Sequence, residues 1–357
     1  MSNTFHKIKI AAIEKTTSDA VVITLGMPEE LKGRFVFKQG QYLTLQAEIN
    51  GEEVRRSYSL CSSPLDGEWK VGIKKIEGGK FSTFANEVLQ EGDVLEVMPP
   101  KGGFFVEIDK TKQKNYVAFA AGSGITPIFS IIKTHLLAEP NATFKLFYIN
   151  QTVASIILKE EIEALKNLFM NRFEVFYFLT KEHRNVPLLK GRLDEEKLNI
   201  IFKSICDAET VDEYFSCGPE AMILMIRDFL LKKNVAKNKI HFELFNTTGA
   251  SVEAKKKVAQ TFKGKVAAIT IMEGGKSMSF KIEQGSDNIL DAAIKNAADL
   301  PFACKGGVCC TCRAKLIEGE VKMLVNYGLE EEEVEQGYIL TCQSIPVSEK
   351  IVVDFDS

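Results

Sequence analysis

Hydrophobic residues in the first part of the chain fall in short runs that turn-forming residues separate. Five such runs mix β-branched, aromatic and polar positions: 21–25, 41–49, 56–60, 69–76 and 93–100. Turn residues between them include Asn50-Gly51, Pro64 to Gly67, and Gly78-Gly79. Short strands at such close spacing predict an antiparallel barrel or sandwich over residues 1–107.

From about residue 115 the pattern changes, because stretches with helical spacing now separate the apolar runs. The apolar runs are 116–122, 144–150, 173–180, 212–218 and 240–245. The helical stretches between them are 125–138, 155–169, 194–205 and 219–234. This alternation predicts an α/β domain with a doubly wound parallel sheet over residues 108–246.

A polar, lysine-rich stretch without apolar periodicity follows, and we interpret residues 247–263 as a linker. Residues 266–283 then predict a hairpin that turns at Gly274-Gly275, and residues 288–298 predict a helix. A cysteine-rich loop begins just after that helix. The last predicted domain, residues 264–357, therefore combines α and β structure.

Composition and charge narrow the class of protein. Hydrophobic residues make up 45% of the 357 residues and charged residues 26%, which excludes a disordered or collagen-like chain. The net charge of −3 gives no reason to expect nucleic-acid binding. The N-terminus lacks a signal-peptide pattern, and polar residues interrupt the most apolar stretch, 116–137. We expect a cytoplasmic protein that binds neither membrane nor nucleic acid.

Five of the eight cysteines lie in the last 54 residues, which favours metal ligands over a disulfide framework. Cys304, Cys309, Cys312 and Cys342 follow the C-x4-C-x2-C…C spacing of a plant-type [2Fe–2S] cluster. A structural zinc site is the alternative, but the loop has one C-x2-C pair and the histidines are remote in sequence. A second register, with Cys310 in place of Cys309, fits the spacing less well and stays open.

Two patterns in the first domain suit an anionic cofactor with a flat ring. Arg56, Ser57, Tyr58 and Ser59 share a predicted strand, in which alternate residues point to one face. Arginine binds phosphate with paired hydrogen bonds, and tyrosine stacks on planar rings. The second pattern opens a predicted helix, whose N-terminal amides suit an anion: Gly79, Lys80, Phe81 and Ser82. An ordinary strand and a turn capped by Ser82 are the alternatives.

Two strand-to-helix junctions in the second domain suit a dinucleotide. The first lacks the third glycine of the Rossmann fingerprint but keeps its strand–turn–helix setting, with residues Gly122, Ser123, Gly124, Thr126 and Pro127. Its glycines allow close approach to a pyrophosphate, and Pro127 suits the first helical turn. The second junction is Cys217-Gly218-Pro219, for which a buried cysteine with Pro219 at the first helical position is the alternative.

Taken together, these patterns resemble the ferredoxin–NADP reductase family over roughly residues 5–246. The resemblance implies a flavin-binding antiparallel β-barrel, a NAD(P)-binding α/β domain, and FAD as cofactor. It implies that Arg56 and Ser57 lie against the FAD, with Arg56 on the pyrophosphate. It also implies that Tyr58 stacks on the isoalloxazine ring and that Ser59 lies near flavin N5. Gly79, Lys80, Phe81 and Ser82 would cover the pyrophosphate.

The same resemblance implies roles at the nicotinamide end. The 122–127 loop matches the family's G-x-G-x-x-P pattern, and Cys217 would lie near the site of hydride transfer, together with Gly218 and Pro219. The candidate catalytic residues are therefore Tyr58, Ser59 and Cys217. The family often places an acidic and an aromatic residue near the flavin, here Glu243 and Phe245, although core packing also explains Phe245.

The choice between NADPH and NADH is less constrained. A 2′-phosphate requires an Arg or Lys after the second strand of the domain, and here Gln151 follows Asn150. Lys159, Arg184 and Arg192 could replace the missing arginine. The family resemblance favours NADPH, and NADH stays possible.

The last domain resembles a plant-type ferredoxin with a β-grasp fold. The order flavin barrel, nicotinamide domain, [2Fe–2S] domain is that of reductase components of multicomponent oxygenases, and the whole chain resembles the reductase subunits of phenylacetyl-CoA epoxidases. That resemblance implies a diiron oxygenase as electron acceptor. The alternatives are a reductase for another hydroxylase or a desaturase, and a non-catalytic redox sensor. The acidic run 330–335 is either a docking surface for that acceptor or a solvated face.

Overall fold

A computed structural model describes residues 4–245, 252–262, 264–298, 300–302 and 305–357. These residues divide into two compact units, one up to residue 245 and one from residue 252 onward. The first unit contains both the barrel and the parallel sheet that the sequence predicts, and the second contains the cysteine-rich domain. In the part of the chain that is described, no helix is both long and apolar enough to span a bilayer.

The first 107 residues form a six-stranded antiparallel sheet with strand order β4-β3-β6-β1-β2-β5. Its strands are β1 His6–Thr17, β2 Ala20–Gly26, β3 Tyr42–Ile49, β4 Glu52–Ser59, β5 Trp69–Lys74 and β6 Val94–Val97. Two helices accompany it, α1 Glu29–Lys32 and α2 Lys80–Glu87. A bridge between Leu60 and Val71 joins the two outer strands, so the sheet closes into the predicted barrel. The sequence pattern had not indicated β1.

Residues 115–244 form a five-stranded parallel sheet in the order β11-β10-β7-β8-β9. The strands are β7 Asn115–Ala121, β8 Thr143–Asn150, β9 Phe173–Leu179, β10 Glu213–Gly218 and β11 Ile240–Leu244. The helices are α3 Ile125–Ala138, α4 Lys159–Leu168, α5 Glu195–Ser204 and α6 Glu220–Lys232. Separate apolar clusters fill the two faces of the sheet, as a doubly wound fold requires. The five predicted strands are confirmed.

The second unit begins with α7 Val252–Phe262, inside the segment that we interpreted as a linker without periodicity. Helical structure there differs from the irregular chain that the polar composition suggested, because lysine, glutamate and alanine are good helix formers. Residues 247–251 and 263 of that segment lie outside the described residues. The linker assignment itself stays a prediction.

The cysteine-rich domain has a mixed five-stranded sheet in the order β13-β12-β18-β14-β16 and a two-stranded sheet of β15 and β17. Its elements are β12 Val266–Glu273, β13 Lys276–Glu283, α8 Ile289–Lys295, β14 Arg313–Glu318, β15 Val321–Met323, α9 Glu331–Glu335, β16 Tyr338–Leu340, β17 Ser344–Pro346 and β18 Lys350–Asp354. The predicted hairpin is confirmed, and Gly274 and Gly275 both adopt positive φ at its turn. Helix α8 packs its apolar face on this sheet, which gives the β-grasp arrangement.

Short 3-10 turns connect several of these elements: Pro64–Asp66, Gly122–Gly124, Val153–Ser155, Pro187–Leu189, Ala208–Thr210 and Lys237–Lys239.

Candidate functional site

Strand β4 places its alternate residues as the sequence predicts. Arg56 is exposed at the barrel surface and Tyr58 is partly buried, and the positive charge of Arg56 acts on the Tyr58 hydroxyl. Burial nevertheless raises the pKa of Tyr58 above its usual value. The Tyr58 ring lies 5.5 Å from the Phe81 ring. A guanidinium and an aromatic face therefore stand side by side on one face of the barrel.

The other face of β4 carries two hydroxyls. The Ser57 Oγ lies 3.1 Å from the Thr44 Oγ1 of the neighbouring strand. The Ser59 hydroxyl donates to Glu243 Oε2 over 3.0 Å, which links the barrel to strand β11 of the parallel sheet. Burial raises the pKa of Glu243 to about 8, although the hydrogen bond from Ser59 opposes that rise. Glu243 therefore keeps its proton near neutral pH.

Helix α2 begins directly after two glycines, as the sequence predicts. Gly79 is its N-cap residue and supplies no side-chain cap. The Ser82 hydroxyl accepts from the Ile76 N–H and donates to the Gly79 carbonyl, so it holds the turn together. Phe81 is only 1% exposed and packs in the barrel core. Contact of Phe81 or Ser82 with FAD would therefore come from the backbone, and the Lys80 side chain pairs with Glu52.

The loop after β7 and the turn after β10 approach each other closely. A Cβ atom on Gly124 would lie 2.2 Å from the Cys217 carbonyl oxygen, and one on Gly218 would lie 2.9 Å from the Ala121 Cβ. The Thr126 hydroxyl donates to the Ser123 carbonyl over 3.0 Å and closes the loop at the start of α3. Only glycine fits at these two positions. The two strand-to-helix junctions that the sequence singled out therefore lie against each other at one edge of the parallel sheet.

Cys217 lies beneath that edge. It pairs with Ala120 of β7 on one side and with Glu243 of β11 on the other. Its side chain has no exposed surface, and burial raises the pKa of its thiol well above the usual range. A fully buried, uncharged thiol does not act as a thiolate, and as the structure stands it offers no surface to a bound nicotinamide, so the expected role of Cys217 beside the hydride-transfer site stays a prediction. Pro219 is the N-cap of α6, whereas the alternative had placed it at the first helical position.

Helix α3 is attached to the barrel along its length. The Ser130 hydroxyl donates to the Ser62 carbonyl over 2.6 Å, and the Thr134 hydroxyl donates to the Ser63 Oγ over 2.8 Å. Near the helix start, a Cβ atom on Gly72 of β5 would lie 2.6 Å from the Thr126 methyl group. The barrel therefore fixes the helix whose first turn forms the dinucleotide loop.

A buried polar network completes this attachment. The Glu139 carboxylate accepts from the Tyr116 hydroxyl over 2.8 Å and from the Asp109 N–H over 2.8 Å, and it lies 3.1 Å from the Nδ1 of His135. The Gln39 amide donates to the Val106 carbonyl over 2.8 Å, which points its second N–H at the His135 Nε2, 3.2 Å away. The His135 ring is therefore held between Glu139 on one side and Gln39 on the other.

We expect the Glu139→Ala variant to lose about 3 kcal/mol or more of its free energy of unfolding, because the Tyr116 hydroxyl, the Asp109 N–H and the His135 ring would each lose a buried partner. Urea unfolding of the two proteins at pH 7 measures this difference. Glu160→Ala, at an exposed position of α4, is the control and should change stability by less than about 0.5 kcal/mol. Equal effects of the two variants would contradict the network.

Three of the four predicted cluster ligands lie in described parts of the chain, and Cys304 lies outside them. Cys312 and Cys342 are each 3% exposed. A direct hydrogen bond between their thiols, burial, and the nearby Cys309 raise the pKa of Cys312 well above the usual range. Among the described residues, no three metal-ligating side chains converge on one point. A two-iron cluster needs only two thiolates per iron, and the pair Cys312 and Cys342 fits that requirement.

The neighbouring Cys310 points elsewhere. It adopts a positive φ of 51°, and its Sγ lies 3.9 Å from the Val308 carbonyl oxygen. A Cβ atom on Gly328 would lie 2.5 Å from that sulfur. Cys309 lies near enough to Cys312 to contribute to the rise of its pKa. The third ligand therefore stays a prediction, with Cys309 favoured by the spacing of the sequence.

The three cations considered for a 2′-phosphate differ in position. Arg184 lines a pocket of about 340 Å³ together with His183, just after β9. One Arg184 nitrogen donates to the Tyr177 carbonyl over 3.4 Å, which holds the guanidinium beside the strand. Lys159 is exposed at the start of α4, and Arg192 is exposed further along the chain. Arg184 is therefore the cation of the three that this pocket contains.

Sequence reasoning missed several residues that shape these sites. Gly72 and Tyr148 lie in ordinary strand patterns, yet Gly72 meets Thr126 and the Tyr148 hydroxyl donates to the Gly122 carbonyl over 3.0 Å. His135 in the last turn of α3 and Glu139 just after its end stand four residues apart, and this spacing was the available signal for the network.

Comparisons with known proteins agree with this geometry. Residues 7–106 match the oxidoreductase FAD-binding domain, residues 119–228 the oxidoreductase NAD-binding domain, and residues 271–347 the 2Fe-2S iron-sulfur cluster binding domain. The chain is 41% identical to a subunit of the 1,2-phenylacetyl-CoA epoxidase of Escherichia coli, over 99% of this chain and 98% of that protein. The chain belongs to the ferredoxin–NADP reductase family that carries a C-terminal [2Fe–2S] domain. The reductase is thus an NAD(P)H-dependent flavin and iron–sulfur oxidoreductase.

More distant relatives share this organisation. The reductase is 29% identical to the ferredoxin reductase component of 3-ketosteroid-9-alpha-monooxygenase from Rhodococcus rhodochrous, over 98% of this chain and 96% of that protein. Among solved structures, phthalate dioxygenase reductase superimposes with a TM-score of 0.61 at 23% identity, over 98% of both chains. This similarity confirms the predicted three-part fold.

Proposed function

We propose that the reductase passes electrons from NADPH, through FAD and a [2Fe–2S] cluster, to the diiron oxygenase component of a phenylacetyl-CoA epoxidase. The observation that carries this proposal is the 41% identity to the Escherichia coli epoxidase protein over 99% of the chain. The more distant relatives, at about 30% identity, are reductase components for other substrates. The order of the three domains suits a chain that receives electron pairs and delivers single electrons.

When bound, FAD accepts a hydride from the nicotinamide and releases electrons one at a time. The chain's own residues prepare this step. Tyr58 offers its ring as a stacking surface, and exposed Arg56 beside it offers a phosphate contact. The hydrogen-bonded pair Ser59 and Glu243 holds a proton between the barrel and the parallel sheet. Beneath the loop after β7 and the turn after β10, Cys217 contributes a buried, uncharged thiol.

Reconstitution tests the acceptor. The purified reductase, with NADPH, is mixed with the oxygenase component of a phenylacetyl-CoA epoxidase or with that of a 3-ketosteroid monooxygenase. We expect substrate-dependent NADPH oxidation only with the first. Turnover with the second alone would overturn the acceptor assignment, and failure to reduce any acceptor, including ferricyanide, would favour a redox sensor.

The proposal for NADPH rests on Arg184, which lines the pocket just after β9. We propose that its guanidinium faces the 2′-phosphate of NADPH. The Kd of NADP⁺ for Arg184→Gln should then rise about tenfold, whereas the Kd of NAD⁺ should not change. Arg192→Gln, an exposed arginine nearby in sequence, is the matched control. Equal loss for both coenzymes would remove Arg184 from this role.

We expect Glu243 to make stability depend on pH. Its pKa is raised in the folded protein to about 8, so folding favours its neutral form. That contribution is full below the unfolded pKa of about 4.3 and is lost as the pH rises toward 8. The stability of the wild type should therefore fall relative to Glu243→Gln between pH 5 and pH 8, by on the order of a few kcal/mol.

Thermal unfolding of both proteins at pH 5.5, 7 and 8.5 measures this change. Ser59→Ala removes the hydrogen bond that lowers the pKa of Glu243. In that variant, the loss of stability with rising pH should therefore continue to a higher pH than in the wild type. Parallel profiles for the wild type and Glu243→Gln would show that Glu243 is already ionised at pH 5.5.

A further inference from the structure

Asn150, the last residue of β8, carries a buried amide that the described protein does not satisfy. Its side chain is 5% exposed, and its Nδ2 has no hydrogen-bond partner among the described residues. Its backbone carbonyl is paired normally, since it accepts from the Thr180 N–H over 2.9 Å. The unsatisfied hydrogen-bond donor is therefore the side-chain amide.

This amide stands at the edge of the sheet where the dinucleotide loop begins. Strand β8 pairs with β7 so that Ile149 lies opposite Ala121, the residue just before Gly122. Because alternate strand residues share a face, Asn150 points to the same side as Tyr148. The Tyr148 hydroxyl reaches the Gly122 carbonyl over 3.0 Å, so this side of β8 faces the loop. In open α/β sheets, ligands bind in the crevice at the carboxyl ends of the strands, where the strand order reverses. Here the order reverses between β7 and β10, and β8 lies next to β7.

Folding alone does not explain an asparagine here. The other residues on this face of β8, Phe144, Leu146 and Tyr148, are core residues packed in an apolar cluster. The Asn150 amide acts on the Tyr148 hydroxyl as a hydrogen-bond donor would, yet no acceptor in the described residues lies within strict hydrogen-bond geometry of its Nδ2. A buried amide that is not fully paired destabilises a protein, whereas an apolar residue of the same shape would not. The position therefore keeps an N–H donor that an acceptor from outside the described chain, a ligand or a water, would complete.

We propose that Asn150 is a coenzyme-binding residue, whose Nδ2 donates to an oxygen of the bound nicotinamide dinucleotide. An amide nitrogen can only donate, so its partner is an acceptor, either a phosphate or a ribose oxygen. This inference rests on the proposed function, because it requires that the domain bind NAD(P)H. It adds a contact from β8 to those expected from the loop after β7 and the turn after β10.

The test compares binding with stability in the full-length protein loaded with its cofactors. NADP⁺ and NAD⁺, which bind without turnover, are titrated into wild type, Asn150→Leu and Asn150→Asp, and the perturbed flavin absorption gives each Kd. We expect Asn150→Leu to raise the Kd of both nucleotides about tenfold and Asn150→Asp to raise it further, because a carboxylate repels phosphate. The Tm of Asn150→Leu without nucleotide should be unchanged or higher, because the unpaired donor is gone.

Opposite movements of Kd and Tm distinguish a binding residue from a structural one. If an internal water satisfies the amide, Asn150→Leu should lower the Tm and leave both Kd values unchanged, which would overturn the proposal. Gln284→Leu is the matched control, since Gln284 is 2% exposed and its buried Oε1 has no hydrogen-bond partner among the described residues. It should not change either Kd. Failure of the wild type to bind either nucleotide would instead overturn the proposed function.

Discussion

The Cys312→Ser variant should lose its iron–sulfur absorption while its flavin remains reducible by NADPH. Cys312 is buried in direct contact with Cys342, so a hydroxyl there removes one of two thiolates available to the same iron. Electrons would then stop at the flavin. We expect transfer to a one-electron protein acceptor to fall at least about a hundredfold, whereas reduction of the flavin itself should change little. Iron analysis and an anaerobic titration followed in the visible range measure both.

Variants of the other cysteines test the assignment of the third ligand. Cys310→Ser should keep the cluster, because its sulfur faces Val308 and Gly328, whereas Cys309→Ser should lose it. Cys206→Ser, at a buried cysteine of the nicotinamide domain, controls for general damage from loss of a thiol. A protein that loses iron with Cys310→Ser but keeps it with Cys309→Ser would establish the second register.

The Gly124→Ala variant should lose reduction by NADPH at least a hundredfold. Its backbone φ is ordinary, so conformational strain is not the reason. The added Cβ would lie 2.2 Å from the Cys217 carbonyl oxygen, which is backbone and cannot rotate away. The loop after β7 and the turn after β10 must then separate, and a displacement of about 1 Å at a reacting centre costs about a hundredfold in rate. Stopped-flow reduction of the flavin by NADPH measures the effect.

Gly33→Ala is a suitable control for Gly124→Ala. Gly33 has a helical φ of −63° and open space around its Cβ position, so alanine should be neutral or slightly stabilising there. Dithionite reduction of flavin and cluster shows whether each variant has folded and holds its cofactors. Normal reduction of Gly124→Ala by NADPH would mean that the two junctions can separate without consequence.

Most of the sheet architecture could be predicted from the sequence, because strands with buried side chains appear as recognisable apolar runs along the chain. The parallel strands are buried on both faces and stand out as apolar runs, whereas β1, which runs from His6 to Thr17, alternates with lysines and threonines and was missed. Helix α7 was missed for the opposite reason. It has few strongly apolar residues, among them Val258 and Phe262 one turn apart, and the lysines between them hid this spacing although they favour a helix.

The candidate site was predictable where residues at fixed spacing act together. The three neighbouring cysteines and the glycine loop each lie within a few residues of sequence, so a short motif is enough to recognise them. The contacts between Gly72 and Thr126, and between Ser59 and Glu243, join residues 54 and 184 positions apart. No local pattern contains such a pair. Ser59 and Glu243 were each suspected through family resemblance, but their hydrogen bond came only from the fold.

The attachment of α3 to the barrel determines where this protein can be recombined with its relatives. A chimera cut near residue 107 would have to recreate the contacts of Ser130 with Ser62 and of Thr134 with Ser63, and would leave His135 and Glu139 facing a foreign surface. A chimera cut after residue 245 exchanges the iron–sulfur domain and leaves all of them intact. Flavin barrel and nicotinamide domain therefore form one unit that should be exchanged as a whole, and we expect the iron–sulfur domain to be the part that can be replaced separately.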